Sequence, residues 1–372
     1  MNERHSESTT DGGSRSTARS GRRRFLQLAG AGSVAALAGC LAGNDNGGGG
    51  DGNGGGGGNE SGGESDWQPE NAIRYIVPYD QGGGTDVYAR GIQEGLADAT
   101  GQNIQIDNIP GAGGLNGYGQ LMRANPDGHT ILGSATPLEV APQLLEDPGF
   151  DQRDAEGVCV FGQSVWTLVV NSEYEGEVET FDDVMEKYNS GEWEGIGVQE
   201  PGSSQDVIVL LAKYQYEEEW GWDWTERVQY TGTGPVSQAV ASGEVPAGIG
   251  TDAGTQSVVD NGSIYPVVTF VSDGSDVYPD VESVTDAGYP EIDFVGGLSR
   301  GVFAPPETEG NITQGLSDMF AEAVEHESTQ SWTEDTGNPV FHEGPDAANQ
   351  LLDDAFAAYE ENNVIDLVQE NS

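Results

Sequence analysis

Positive charge is scarce in this 372-residue sequence. Lysine and arginine number 14 against 63 aspartates and glutamates, which gives a formal net charge of −49 at pH 7. A nucleic-acid-binding surface needs clustered lysine and arginine, so the composition excludes that class of partner. Carboxylates at this density repel one another in dilute buffer and are screened in molar salt. The sequence therefore predicts a halophilic protein. The alternative, an acidic disordered chain, does not fit the hydrophobic periodicity described below.

Cysteine, histidine and signatures of metal or nucleotide sites are also sparse. There are two cysteines, Cys40 and Cys159, and four widely spaced histidines. No C-x-x-C or H-E-x-x-H segment occurs, so we expect no metal, no cofactor and no enzymatic activity. The first glycine-rich loop has neither the lysine of a P-loop nor the G-x-G-x-x-G spacing of a dinucleotide site, and this argues against nucleotide binding.

The longest apolar run, Leu28 to Leu37, is too short to span a bilayer as a permanent helix. Paired arginines and Phe25-Leu26 precede it, and Leu37-Ala38-Gly39-Cys40 closes it. This pattern predicts a twin-arginine lipoprotein signal peptide over residues 1–39 and a lipid on Cys40, which anchors the protein to the outer face of the cell membrane. With Cys40 lipidated, no intramolecular disulfide can form, and Cys159 is interpreted as a small buried apolar residue.

Residues 40–66 form a second compositional segment. Thirteen of the 24 residues from Gly43 to Asp66 are glycine, which is typical of a flexible tether. The globular part is expected to begin near Trp67. About 305 residues remain, more than one hydrophobic core usually accommodates, so we expect two lobes.

The first part of the globular segment alternates strand and helix patterns. The strand Ile73 to Val77 leads into Gly82 to Gly84, and then Tyr88, Ile92 and Leu96 share one helical face up to a capping Gly101. A strand at 104–106, a second glycine loop with its helix, and a strand within 130–136 complete a βαβαβ unit. This order predicts a parallel sheet with ligand-facing loops at the carboxyl ends of its strands.

The glycine loops admit two interpretations, a tight turn or a ligand lying against the main chain. Small residues also precede helices later in the chain, at 202–204 and 231–233. A helix N-terminus with unpaired N–H groups binds anions without help from lysine or arginine. Of the eight cations beyond residue 39, only Arg90 and Arg300 lie near these segments. We therefore expect backbone N–H groups to hold a small carboxylate between the lobes.

Three segments in order, "IRYIVPYDQGGGTDVYAR", "NIPGAGGLNG" and "ANPDGHTIL", resemble the opening of the tripartite tricarboxylate transporter receptors, the Bug or TctC family. Weaker similarity extends over residues 72–372. The resemblance implies a type II periplasmic-binding-protein fold with two doubly wound lobes and a ligand cleft between them. Lobe 1 would comprise 67–167 and 297–372, and lobe 2 would comprise 168–296. It implies an extracytoplasmic receptor that delivers a tricarboxylate, dicarboxylate or acidic amino acid to membrane permease subunits.

The resemblance also implies a set of ligand-binding residues. They are Tyr79, Gly82, Gly83, Gly84, Thr85, Asp86, Ser134, Thr136, Gly202, Ser203, Ser204, Thr231, Gly232, Thr233 and Asp252. The family pattern has a lysine where Thr231 stands and an aromatic residue near Ser299 and Arg300.

Several positions keep a second interpretation. Asp252 either binds a ligand amino group or is one more surface acid, and Asp86 is either a ligand residue or an acid favoured in the first turn of a helix. The tryptophans of 214–226 either pack locally or form a permease-docking surface. For the whole chain, the alternative to a monomeric transport receptor is a secreted enzyme acting on a small carboxylic acid, or a sensor without a transport role.

The acidic composition generates a first prediction. Lowering the salt from about 1 M to about 0.1 M lengthens the Debye distance from about 3 Å to about 10 Å, so neighbouring carboxylates repel over a longer range. We expect the thermal unfolding midpoint to fall as NaCl is lowered, which circular dichroism can follow. An unchanged midpoint between dilute and molar salt would refute the halophilic interpretation.

Overall fold

The structure is a computed structural model that describes residues 67–371. The predicted signal peptide, Cys40 and the tether lie outside the described residues. Within residues 67–371, no helix is both long enough and apolar enough to cross a membrane.

The described residues form strands and helices in alternation. The strands, numbered in chain order, are β1 (Ile73–Val77), β2 (Ile104–Asn108), β3 (Thr130–Gly133), β4 (Glu156–Asn171), β5 (Gly195–Gln199), β6 (Glu226–Tyr230), β7 (Ala247–Thr251), β8 (Ile264–Thr269), β9 (Glu282–Ser283), β10 (Gly297–Ala304) and β11 (Val340–Glu343). The helices are α1 (Gly84–Thr100), α2 (Leu115–Leu121), α3 (Val140–Glu146), α4 (Phe181–Asn189), α5 (Ser204–Leu210), α6 (Thr233–Ser242), α7 (Asp252–Asp260), α8 (Asp293–Gly296), α9 (Gly310–Glu325), α10 (Glu327–Thr336), α11 (Pro345–Glu361) and α12 (Val364–Glu370).

The sheet of lobe 1 has the order β2-β1-β3-β10-β4. Strands β1, β2 and β3 are parallel, as the βαβαβ pattern predicts, whereas β10 is antiparallel to both β3 and β4. Helices α1 and α9 pack on each other beside this sheet. Their apolar faces, with Tyr88, Ile92 and Leu96 from α1 and Leu316 and Phe320 from α9, are buried in one core cluster.

The sheet of lobe 2 continues from the second half of β4 in the order β4-β7-β5-β6. Strands β5, β6 and β7 are parallel, and β4 is antiparallel to β7 and β8. Strand β4 is thus common to both lobes: Glu156 to Val165 pairs with β10, and Trp166 to Val170 pairs with β7. The two-lobed α/β fold expected from the sequence is confirmed.

Local predictions agree with the structure in most places. Gly101 ends α1 in the left-handed conformation at φ 64°, as expected for a C-cap. Strand β2 extends to Asn108, two residues beyond its predicted end. Strand β3 ends at Gly133, but the N–H groups of Ser134 and Thr136 still donate to Gly301 and Ser299 of β10. Cys159 is buried and free, as predicted.

The tryptophan-rich segment packs locally. Trp220, Trp222 and Trp224 are all at most 5% exposed and belong to a core cluster made mainly of lobe 2 residues. Phe181 contacts the rings of Trp220 and Trp222 edge-on. Of the two interpretations of this segment, packing beneath the acidic surface is therefore the one that the structure supports.

Candidate functional site

A narrow cavity lies between the lobes at the point where β4 passes from one sheet to the other. Lobe 1 contributes the β1–α1 loop, the segment after β3, and β10, while lobe 2 contributes Trp166 and the carboxyl ends of β5, β6 and β7. The lining residues are Tyr79, Asp80, Gln81, Gly83, Gly84, Thr85, Ala135, Leu138, Trp166, Gln199, Gly232, Thr233, Gly234, Pro235, Thr251, Leu298 and Arg300. Strand ends of both lobes thus surround the cavity, which is where open α/β sheets bind ligands.

The first glycine loop forms a turn and also lines the cavity. Gly82 has φ 84°, a conformation that glycine adopts readily, and its N–H donates to Asp86 at 2.9 Å. Gly84 does not have positive φ. A Cβ on Gly84 would lie 2.5 Å from Nη2 of Arg300 and 2.6 Å from Oγ1 of Thr251. Glycine is needed at position 84 because an arginine of lobe 1 and a threonine of lobe 2 approach its backbone.

Two helix N-termini, one from each lobe, reach this cavity. Helix α1 begins at Gly84, and the chain offers no hydrogen-bond acceptor to the N–H groups of Gly84 and Thr85 within residues 67–371. Helix α6 begins at Thr233, and neither α1 nor α6 carries a side-chain N-cap. Unpaired N–H groups at the positive end of a helix dipole are suited to an anionic ligand.

Arg300 is the residue that sequence reasoning missed. Its side chain is 1% exposed, yet it lines the cavity. Nη1 donates to Oγ1 of Thr85 at 2.7 Å, Nη2 donates to Oγ of Ser164 at 2.9 Å, and the guanidinium lies 5.0 Å from the ring centre of Tyr88. Nε is buried without a partner. The sequence-based expectation that backbone N–H groups hold the carboxylate did not include this buried cation, which β10 brings to the cavity.

A local irregularity of β10 accompanies this arginine. The pairing of β10 with β4 shifts register between Arg300 and Gly301. Such bulges re-aim a side chain and are frequent next to functional sites. Two sequence signals pointed to this position. The family pattern changes at Ser299 and Arg300, and Arg300 is one of the two cations near the ligand-facing segments.

Tyr79, Ser134 and Thr136 belong to a hydroxyl network around Glu139. Oε1 of Glu139 accepts from Thr136 at 2.8 Å and from Tyr118 at 3.0 Å, and Oε2 accepts from Tyr79 at 3.2 Å. The hydroxyl of Ser134 lies 3.1 Å from that of Thr136. Glu139 is fully buried, and desolvation raises the pKa of its carboxyl. The network fixes Tyr79, whose side chain lines the cavity.

Asp86 stabilises the glycine loop and does not line the cavity. Its carboxylate accepts from the Gly82 N–H, from Asn108 and from Arg90. Burial acts to raise the pKa of Asp86, but the hydrogen bonds from Arg90, Gly82 and Asn108 lower it below its usual value. Arg90 in turn points away along the helix, 44% exposed.

Asp252 also lies outside the cavity wall. One oxygen accepts from the N–H groups of Val165 and Ala253, and the other accepts from Ser275. Burial raises the pKa of Asp252. Because its carboxylate already accepts three hydrogen bonds, Asp252 links β4 to α7. The neighbouring Thr251 lines the cavity instead.

The remaining predicted residues divide between the cavity and its surroundings. Gly232 and Thr233 line the cavity, whereas Thr231 is exposed and is not part of its lining. A turn is formed by Gly202, Ser203 and Ser204. The Gly202 N–H donates to the buried carboxylate of Asp206, and the turn packs on α3 of lobe 1. The structure therefore does not bring residues 202–204 into the cavity.

One segment beside the cavity matches the G-x-S-x-G pattern of a nucleophile elbow. The segment Gly297 to Gly301 reads G-L-S-R-G, but Ser299 lies inside strand β10 and not at the strand-to-helix turn that exposes a nucleophile. Within residues 67–371, no group of three or more histidine, cysteine, aspartate or glutamate side chains is arranged to hold a metal ion.

Two α/β lobes that share a strand and close on a cavity at their strand ends define a two-lobed solute-binding protein. The model of the tripartite tricarboxylate transporter family receptor matches residues 88–366. The chain belongs to this family of extracytoplasmic receptors.

Individual relatives agree with this assignment. The chain is 27% identical to the protein BugT of Bordetella pertussis over 265 residues, which covers 70% of this chain and 78% of BugT. Among solved structures, it is similar to the R. palustris protein Rpa4515 with adipate, with 22% identity, a TM-score of 0.70 and coverage of 82% and 99% of the two chains. It is also similar to MatC from Rhodopseudomonas palustris with bound malate, with 24% identity, a TM-score of 0.68 and coverage of 81% and 99%.

The burial of Glu139 generates a prediction about pH. The pKa of Glu139 is raised in the folded protein, so its carboxyl stabilises the fold most when it is protonated. This stabilisation is complete below the ordinary glutamate pKa of about 4.3 and is lost as the pH rises through the raised pKa of the folded state. We expect Glu139→Gln to gain stability relative to the unmodified protein over this pH interval. Denaturant unfolding at constant high salt measures the difference.

The exposed Glu217 supplies a matched control, because Glu217→Gln makes the same chemical change in solvent. A stability difference for Glu139→Gln that stays constant with pH, or that matches the control, would contradict the prediction.

Proposed function

We propose that this receptor captures a small carboxylate (a tricarboxylate, dicarboxylate or acidic amino acid) between its lobes and delivers it to tripartite tricarboxylate-type permease subunits. The observation that carries the proposal is the buried guanidinium of Arg300 beside the unpaired N–H groups of Gly84 and Thr85. Charged hydrogen bonds of this kind contribute about 1.5–3 kcal/mol each. The adipate and malate bound to the two R. palustris proteins support a carboxylate as the class of ligand.

Contacts between the lobes support capture by closure. Thr251 of lobe 2 lies against Gly84 of lobe 1, and the Gly113 N–H donates to Glu200 of lobe 2 at 3.0 Å. A ligand held by groups from both lobes would favour this closed arrangement over an open one. The permease can then distinguish loaded from empty receptor by the distance between the lobes.

The enzyme alternative has weaker support. The cavity contains no histidine or cysteine among its lining residues. The hydroxyl of Thr85 accepts from Arg300 and that of Thr233 accepts from the Thr251 N–H, and neither is hydrogen-bonded to a carboxylate or histidine within residues 67–371. We infer a binding protein without catalytic activity or cofactor. A sensor without a transport role would bind its ligand at the same site. The cavity therefore does not distinguish a sensor from a transport receptor, whereas an interaction with permease subunits does.

Calorimetric titration of the protein in molar salt tests this function. We expect at least one member of a panel of mono-, di- and tricarboxylates to bind and the matched neutral amides not to bind, because an amide cannot neutralise Arg300. NMR of the recovered ligand should show it unchanged. Binding of amides as tightly as acids, or conversion of the ligand, would exclude a carboxylate receptor.

We further propose that a lipid on Cys40 retains the monomeric receptor at the outer membrane face. The segment Leu37-Ala38-Gly39-Cys40 supports this proposal, as does the glycine-rich composition of residues 40–66, which is typical of a tether. A single acyl chain binds membranes only marginally, so a modification with two chains is expected.

The anchoring is tested in cells. Cys40→Ser should move the receptor from the membrane fraction to the medium and remove the mass of the lipid, while Cys159→Ser, a change at the buried free thiol, should leave the receptor in the membrane fraction. Retention of the Cys40→Ser protein in the membrane with unchanged mass would refute lipid anchoring.

A further inference from the structure

The charged groups of the cavity are few and lie on different elements. Of the lining residues, only Arg300 and Asp80 carry charged side chains. Arg300 is fully buried on β10, whereas Asp80 is partly exposed on the β1–α1 loop. The side chain of Asp80 lies 3.9 Å from the place that a Cβ on Gly232 of lobe 2 would occupy, so it stands where the two lobes meet.

The charge of Arg300 has no carboxylate partner within ion-pair distance in the described chain. Two of the five N–H donors of its guanidinium are bound by the neutral hydroxyls of Thr85 and Ser164. Asp252 attracts Arg300 electrostatically, but its oxygens are bound by Val165, Ala253 and Ser275. A buried guanidinium is costly unless it is paired, and a ligand carboxylate is the counter-charge that it lacks.

Asp80 has the opposite effect on a ligand. No hydrogen-bond donor reaches its carboxylate within residues 67–371, although its main-chain oxygen accepts from Gly83. Glu200, which receives the Gly113 N–H, adds negative potential near Asp80. A second ligand carboxylate near Asp80 would meet like charge, and repulsion between partly buried charges is screened less than repulsion between fully exposed ones.

The remaining wall is apolar or neutral. Trp166, Leu138, Leu298 and Pro235 supply hydrocarbon surface, and Gln199 supplies a neutral polar group. This wall offers no second cation for another carboxylate. A ligand that fits these groups has one charged end and an uncharged body.

We propose that Arg300 and Asp80 together make this receptor selective for acids that carry a single carboxylate and no second negative charge. The inference rests on the proposed binding of a carboxylate at Arg300. For the identity of the ligand, it favours acids with one carboxylate over the tricarboxylates, dicarboxylates and acidic amino acids named above. Arg300 binds the one carboxylate, and Asp80 rejects a second one, so Asp80 is a specificity-determining residue.

Mono- and dicarboxylates of equal chain length provide the test. We expect calorimetry in molar salt to show tighter binding of a monocarboxylate than of its dicarboxylate partner, for example hexanoate over adipate, by at least tenfold within a series of four to eight carbons. Asp80→Asn should reduce this ratio at least tenfold by improving dicarboxylate binding. Asp273→Asn, an equal change of charge at an exposed position outside the cavity, should leave the ratio unchanged.

The outcomes separate the two levels of the proposal. Tighter binding of dicarboxylates by the unmodified protein, or an unchanged ratio in Asp80→Asn, overturns the selectivity and leaves the carboxylate receptor intact. Failure of every carboxylate to bind overturns the proposed function itself.

The role of Arg300 is tested with two further variants. Arg300→Gln should weaken the affinity for monocarboxylates at least a hundredfold, and Arg300→Lys, which keeps the charge without the planar guanidinium, should recover part of that affinity.

Discussion

Strand β4 constrains the rest of the structure because it is paired in both sheets. Its first ten residues pair with β10 and its last residues with β7 and β8, so the two lobes cannot form independently of this strand. The cavity lies beside the point where β4 changes sheets, at Val165 and Trp166. The groups that line the cavity therefore come from strand ends whose relative position β4 determines.

The antiparallel insertion of β10 between β3 and β4 has a direct consequence for the chemistry of the site. It places Arg300 beneath the N-terminus of α1, where Thr85 and Ser164 orient the guanidinium. This arrangement requires glycine at position 84, since any side chain there would collide with the arginine. The glycine loop thus has two roles, a turn at Gly82 and a close approach at Gly84.

Electrostatics explains how a protein with a net charge of −49 can attract an anion. Surface carboxylates are screened by salt, whereas a charge inside a closed cavity is screened much less. We therefore expect one desolvated guanidinium and two helix N-termini to affect a ligand in the cavity more than distant surface acids do. Buried carboxyls near the cavity, those of Glu139 and Asp252, are surrounded by hydroxyl and N–H donors, which limits their effect on the ligand.

The sequence by itself determined the βαβ order, the glycine-capped helix α1, the family and the loop from Tyr79 to Thr85, because these follow from periodicity and from motifs within short segments. It did not determine which distant segments meet. Arg300 lines the cavity because β10 lies between β3 and β4. Residues 202–204 lie outside the cavity because Asp206 binds Gly202 and the turn packs on α3. The carboxylate of Asp252 already accepts hydrogen bonds from Val165 and Ser275. These outcomes depend on contacts between residues more than 20 positions apart in most cases, and only the tertiary packing of two sheets around one shared strand decides them.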